Sequence, residues 1–491
     1  MSRPILATSS RTAGLALVAA SVSLFAYRFA NLDLVAFIND EPRFLAAARA
    51  QLDSGHWASA SPLVGTLGIS YGPTVLWFYG AVHWLFGPAP EAHIVAIGLM
   101  LTVAQVALAY VLTRAFGGGA GAFGLVAALI ASSPYHFFWS RVAWDQAASI
   151  CTASTVALLA MPGSVGWRRA VPIGLLLGLA LSSHLMVLPF VALAFAVMAL
   201  DLWRTPAKLA LTWSVALAGA LVVNVPYLLH LRATPLVPAS SGSFALAAFF
   251  DFLVEPARVA TMWRMDYHFD HVWPEFVAWA GALGDVFRAG AVPMALLAVL
   301  AALGLAVHIR SSEPHRRRLA LMGLVGWLGY AAFYAALGLY RHPHYQWPIW
   351  WIIPVGVAGA VPWLRARWPR VGLAAACVVG AISLAHVAFI GAWMGYVRDH
   401  GGTPGIHYST PLGEQRRLVE LACGSSERTV LIDNQTAMFP HSLAYLVSSE
   451  PRCAGKQIEL CRAPACPASS DGARLIVATY ARQHYGWLEA R

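Results

Sequence analysis

Apolar runs of about 17 to 23 residues recur along most of this chain, the length a helix needs to cross the roughly 30 Å hydrocarbon core of a bilayer. In hydrocarbon every backbone amide must find its partner within its own segment, so such runs are helices. Composition agrees. Of 491 residues, 58% are hydrophobic and only 11% are charged, whereas a soluble domain carries roughly 25% charged residues. Apolar windows place spans over 13–30, 92–113, 122–138, 144–161, 170–184, 186–202, 209–229, 290–308, 319–338, 348–363 and 371–393, about 11 helices in all.

The formal charge of +10 could suggest a nucleic-acid partner. The positive residues are dispersed in short loops between apolar runs, which excludes that class of partner. Lysine occurs only at Lys208 and Lys456, and arginine keeps its charge near a low-dielectric site where lysine can lose it. If the spans alternate, Arg114, Arg168, Arg169, Arg204, Lys208, Arg310, Arg316 to Arg318, Arg365, Arg367 and Arg370 fall on one side. Positive residues in short loops mark the cytoplasmic face. The N-terminus is then cytoplasmic and the C-terminus extracytoplasmic, as expected for a bacterial inner (plasma) membrane protein with a periplasmic tail. Leu15–Phe29 follows Arg3 and Arg11 in the manner of a secretory signal, but no small-x-small cleavage site precedes Asn39–Glu41, so a retained first span is expected. Arg28 near its far end would have to snorkel to the interface.

The expected organisation is an all-α polytopic module over 1–394, with external interfacial helices in a first loop (31–91) and a long loop (230–289). A small α/β extracytoplasmic domain over 395–491 follows. In that tail Thr429–Asp433, Gln457–Leu460 and Ala473–Thr479 read as strands, and Leu412–Cys423 and Ala437–Ser448 as helices. Cys423, Cys453, Cys461 and Cys466 all follow the last span. Two disulfides suit an oxidising compartment. A zinc site is the competing expectation, although Cys461 and Cys466 lack the two-residue gap of a tight zinc knuckle.

The first loop carries Asn39-Asp40-Glu41-Pro42-Arg43-Phe44. Proline in the first turn after polar residues signals a helix start, and the helix should run to about Leu52, with Phe44, Leu45, Ala48 and Leu52 on one face. It is too short to span and should lie along the interface. Adjacent carboxylates therefore sit at a helix N-terminus, where the dipole favours their ionised forms. They either cap the helix or supply a base for an alcohol together with a neighbour that positions the substrate.

This arrangement resembles the GT-C superfamily of membrane glycosyltransferases, which includes protein O-mannosyltransferases and lipid A aminoarabinose transferases. The matching residues are Asp40-Glu41-Pro42-Arg43-Phe44, the proline-and-aromatic segments Tyr71–Tyr79 and Leu85-Phe86-Gly87, Asp145 within Trp139–Gln146, and the basic-aromatic segment Arg341-His342-Pro343-His344-Tyr345-Gln346-Trp347-Pro348. The likeness covers roughly residues 10 to 395 and not the tail. The resemblance implies an inverting transfer of a sugar from a polyprenyl-phosphate donor to a hydroxyl of an unidentified lipid, glycan or protein acceptor, at the extracytoplasmic face. It implies Asp40 as base, Glu41 as an acceptor-positioning residue and Asp145 as a second catalytic acid. Arg141, Arg341, His342, His344 and Tyr345 would hold the donor phosphate, arginine being well suited to that anion. Arg43, Tyr71 and His184 would line the acceptor cavity. Some relatives that modify lipid A use a lysine in the first loop, and this chain has none there.

In the long loop, His268, Asp270 and His271 could hold a divalent metal, but their spacing fits no tight motif and a solvated or hydrogen-bonded loop is the favoured reading; no other cofactor is expected. Gly117–Gly119 with Gly121 lacks the lysine and serine of a phosphate loop and reads as a tight turn. The alternative function is a transporter or flippase for a lipid-linked sugar precursor. Transporters place polar sites near the bilayer midplane, often on paired repeats, and neither feature is present in this sequence.

Overall fold

The computed structural model describes residues 5–37, 40–64, 69–144, 146–233, 246–261, 272–338, 343–402, 410–434, 440–461, 473–481 and 484–489. Every expected span coincides with helix. The first ten helices are α1 (Ile5–Tyr27), α2 (Asp40–Ser54), α3 (Thr74–Phe86), α4 (Pro90–Ala115), α5 (Ala120–Ser132), α6 (Pro134–Trp139), α7 (Ala147–Ala160), α8 (Trp167–Ser183), α9 (Leu188–Leu202) and α10 (Pro206–Ala233). Ala291–His308, Pro314–Leu337, Ile352–Arg367 and Pro369–His400 supply the remaining spans. Among the described residues, six helical segments are long and apolar enough to cross a membrane unaided: Pro90–Ala115, Leu185–Leu202, Pro206–Ala233, Ala291–His308, Pro314–Leu337 and Pro369–His400. Helix α10 turns Leu217, Leu221, Val222, Leu228 and Leu229 outward, a surface stable only in lipid. The chain is an integral membrane protein.

Two local departures have clear causes. The expected span over 122–138 is broken between α5 and α6, where Ser133 takes φ −57°, ψ 121°. It precedes Pro134, and the proline ring disfavours helical backbone at that position. Arg28 does not snorkel but is fully buried. Its Nη1 donates to Gln105 Oε1 at 2.5 Å and its Nη2 to the Ile130 carbonyl at 3.0 Å. At the expected glycine turn, Gly117 has φ 76°, a left-handed conformation that side chains rarely adopt.

Side-chain contacts sort the loops onto two ends of the bundle. At one end Arg316 donates to the Ala115 carbonyl, and Arg318 gathers the Leu159, Met161 and Gly163 carbonyls together with Asp201. At the other end residues 28–31, 70–74, 141–144, 146, 184 and 345–347 meet, as detailed below. The C-terminal segment packs on this second end. It contains a four-stranded sheet ordered β2 (Gln457–Cys461), β1 (Thr429–Asn434), β3 (Ala473–Ala481), β4 (His484–Glu489). β2, β1 and β3 are parallel, and β4 is antiparallel to β3. Helices Leu412–Gly424 and Pro440–Ser449 accompany the sheet. Cys423 and Cys453 form a disulfide, and Cys461 is also disulfide-bonded, which replaces the zinc alternative for these cysteines.

Candidate functional site

Asp40 and Glu41 occupy the first turn of α2. The helix buries Phe44, Leu45, Ala48 and Gln51, and Gln51 Nε2 donates to the Leu76 carbonyl of α3 at 2.6 Å. That packing fixes which way the N-terminus faces. The Asp40 carboxylate is 16% exposed, and Arg43 Nη1 lies 3.6 Å from its Oδ1. Burial raises its pKa above the ordinary carboxylate range, against the opposing pull of the Arg43 and His441 charges. A helix N-terminus would favour the anion, so at this position desolvation outweighs the nearby positive charge. Glu41 is 2% exposed.

A second group of residues forms an aromatic wall from four separate segments. Gly72 makes it possible: a Cβ there would stand 2.2 Å from Ser182 Oγ, and Thr74 Oγ1 donates to that same oxygen at 2.7 Å. The close approach seats Tyr71 on His184, with ring centroids 4.8 Å apart and the Tyr71 hydroxyl 3.5 Å from His184 Nε2. His184 breaks the chain between α8 and α9, and its Nδ1 accepts from the Met186 amide. Tyr345 and Trp347 meet His184 at 5.9 and 5.5 Å between centroids. Trp347 in turn packs on Trp139 at 5.7 Å and Trp144 at 5.9 Å, and the Trp144 carbonyl accepts from the Tyr79 hydroxyl at 2.5 Å. The Tyr345 carbonyl accepts from Tyr334.

Of the residues proposed from sequence, Tyr71, His184 and Tyr345 come together in this wall, and Asp40, Glu41 and Arg43 share the start of α2. Arg141 has a different place. Its Nη1 donates to the carbonyls of Arg28 and Ala30 and its Nη2 to that of Asn31, at 2.8, 2.5 and 2.6 Å. It is buried and closes the end of α1. Asp145, Arg341, His342, His268, Asp270 and His271 lie outside the described residues, as does the His344 side chain. Trp144 and Gln146, the neighbours of Asp145 in sequence, are described: Gln146 Oε1 accepts from the Trp144 amide at 3.0 Å and its Nε2 donates to the Trp139 and Val142 carbonyls. Among the described residues no three His, Cys, Asp or Glu side chains gather in a way that could hold a metal.

Sequence reasoning passed over Ser182, Trp347 and the C-terminal residues near α2 as site components. The density of tryptophan at 139, 144 and 347 was a usable signal for the wall. Nothing in the sequence marks the contact between the tail and the first loop.

No protein-family model matches the chain, and no curated protein matches it. Solved structures do. The chain is similar to ArnT from Cupriavidus metallidurans bound to undecaprenyl phosphate, with TM-score 0.52 and 15% identity over 94% of this chain and 92% of that one. It is also similar to the archaeal oligosaccharyltransferase AglB from Archaeoglobus fulgidus, bound to an inhibitory peptide and a dolichol-phosphate, with TM-score 0.48 and 12% identity over 91% of this chain and 64% of that one. A third is the mycobacterial arabinofuranosyltransferase AftD, with TM-score 0.42 and 16% identity over 95% and 36% of the two chains. The first of these matches nearly the full length of both chains, so the chain shares the overall fold of that structure.

Proposed function

We propose that this protein is an inverting glycosyltransferase. It moves a sugar from a polyprenyl-phosphate donor to an acceptor hydroxyl on the extracytoplasmic face of a membrane, in bacteria the inner membrane. The observation that carries this is the position of Asp40: a half-buried carboxylate with raised pKa, at the start of an interfacial helix, at the end of the bundle where the aromatic wall also lies. A base acts best when its pKa is moved toward the working pH.

In the proposed reaction the Asp40 carboxylate takes the proton of the acceptor hydroxyl. The acceptor oxygen forms a bond to the sugar C1 as the bond from C1 to the phosphate oxygen breaks. The electron pair leaves with the polyprenyl phosphate. The sugar passes through an oxocarbenium-like state, and positive groups or hydrogen-bond donors must receive the charge that develops on the phosphate. Arg341, His342, His344 and Tyr345 are proposed for that task. Arg141, which also donates to three backbone carbonyls, is proposed to assist them. Glu41 and Asp145 are proposed to orient the acceptor, and Arg43, Tyr71 and His184 to line its cavity. A divalent ion at His268, Asp270 and His271 is a separate proposal, tested by chelation. The tail over 395–491 is proposed as its own folding domain.

The test is incubation of the purified protein with a panel of polyprenyl-phosphate sugars and candidate acceptors. Release of polyprenyl phosphate with formation of a product inverted at C1 is the expected result. Translocation of intact donor across vesicles without release of phosphate would favour a flippase instead.

A further inference from the structure

The C-terminal segment grips residues 35–37, shortly before Asp40 in the chain. The Leu412 amide donates to the Val35 carbonyl at 2.9 Å, and Ala36 bridges to Pro411. One residue on, the buried Phe37 carbonyl accepts two side-chain hydrogen bonds: from Gln415 Nε2 at 2.8 Å and from Ser442 Oγ at 2.9 Å. These donors come from two different helices of the tail. The Phe37 ring packs on Tyr445 at 5.8 Å, whose hydroxyl donates to the Pro88 carbonyl at 2.7 Å. Arg49 of α2 donates to the Ser448 carbonyl at 3.0 Å, and Arg416 pairs with Glu91. The Cys423–Cys453 disulfide ties the first gripping helix to the turn after the second.

One feature exceeds what simple attachment requires. The Phe37 carbonyl, three residues before Asp40, is held from two directions, and Arg49, further along the helix that Asp40 starts, is held at the Ser448 carbonyl. Among the described residues, Arg43 on the same helix and His441, next to Ser442 in the tail, carry charge that acts on Asp40.

We propose that the C-terminal segment is part of the working site, with Ser442 and Gln415 positioning Asp40 through the Phe37 carbonyl. This rests on the proposal of Asp40 as base. A displaced base loses rate without losing substrate binding, because proton transfer needs the reacting atoms held in place.

The experiment uses the full-length protein in nanodiscs with a polyprenyl-phosphate sugar, comparing wild type with Ser442→Ala, Ser442→Thr, Gln415→Ala and Asp40→Asn. Ser442→Ala and Gln415→Ala should each lower kcat about 10-fold, the effect of a roughly 1 Å displacement reaching up to about 100-fold, while the KM for donor stays unchanged. Ser442→Thr keeps the hydroxyl and should restore kcat. Wild-type kcat in both Ser442→Ala and Gln415→Ala, with Asp40→Asn inactive, would overturn the role of the tail and leave the base standing. A fully active Asp40→Asn would overturn both.

Discussion

Two acid–arginine pairs mark opposite ends of this bundle, and they are built in contrary ways. Arg318 and Asp201 are 1% and 4% exposed. Arg318 also donates to the Leu159, Met161 and Gly163 carbonyls, and the Val165 amide donates to Asp201. Their polar atoms are spent on partners that do not exchange. Asp40 and Arg43 lie 3.6 Å apart within one helical turn and keep part of their surface open. A partly open pair 3.6 Å apart within one helical turn contributes about 1 kcal/mol or less, too little to explain by stability alone why a carboxylate stands where burial raises its pKa. The first pair is a joint between helices. The second is an acid left able to exchange a proton.

That contrast can be broken in descending order of effect. Asp40→Asn should lower sugar transfer by two to four orders of magnitude, the usual contribution of a general base. Its thermal midpoint should be unchanged or higher. A carboxyl whose folded pKa is raised adds stability below its unfolded pKa and loses that contribution as pH rises through the folded value, so at neutral pH the ionised group is a burden that asparagine removes. Arg318→Ala should do the reverse. Stranding the buried Asp201 charge should cost about 3–5 kcal/mol, seen as a lower melting temperature or lower yield, while molecules that fold keep their kcat. Reduction of Cys423–Cys453, which closes 30 residues, should cost the tail about 2–4 kcal/mol, read as earlier proteolysis of the tail than of the helices. Gly72→Ala should cost about 1–3 kcal/mol, because its Cβ would meet Ser182; transfer should fall with it as Tyr71 leaves His184. Across all of these, the acidic limb of the wild-type rate profile should lie above the ordinary carboxylate range and vanish with Asp40→Asn.

The bundle was legible in sequence because the bilayer imposes a length. Eleven apolar runs sit within a few residues of their helices, and the strands at Thr429, Gln457 and Ala473 begin where β-rich runs begin. The break at Ser133 was readable from Pro134 and was overridden by the surrounding hydrophobicity. The fate of Arg28 was not readable, since its acceptors lie 77 and 102 residues away at Gln105 and Ile130. The same holds for the site. Asp40 and Glu41 stood out through local helix-start chemistry, whereas Tyr71 meeting His184, and Phe37 held by Gln415 and Ser442, depend on folding that no local pattern encodes. Arg141 stood out as a phosphate ligand by residue type alone; its hydrogen bonds to carbonyls at the end of α1 depend on residues more than 100 positions away.

The most direct measurement is a single-turnover assay on purified wild-type and Asp40→Asn protein, with a polyprenyl-phosphate sugar that the wild type consumes. The account predicts that both proteins bind the donor and melt alike, and that only the wild type releases polyprenyl phosphate and inverted product. Equal release by both would contradict it.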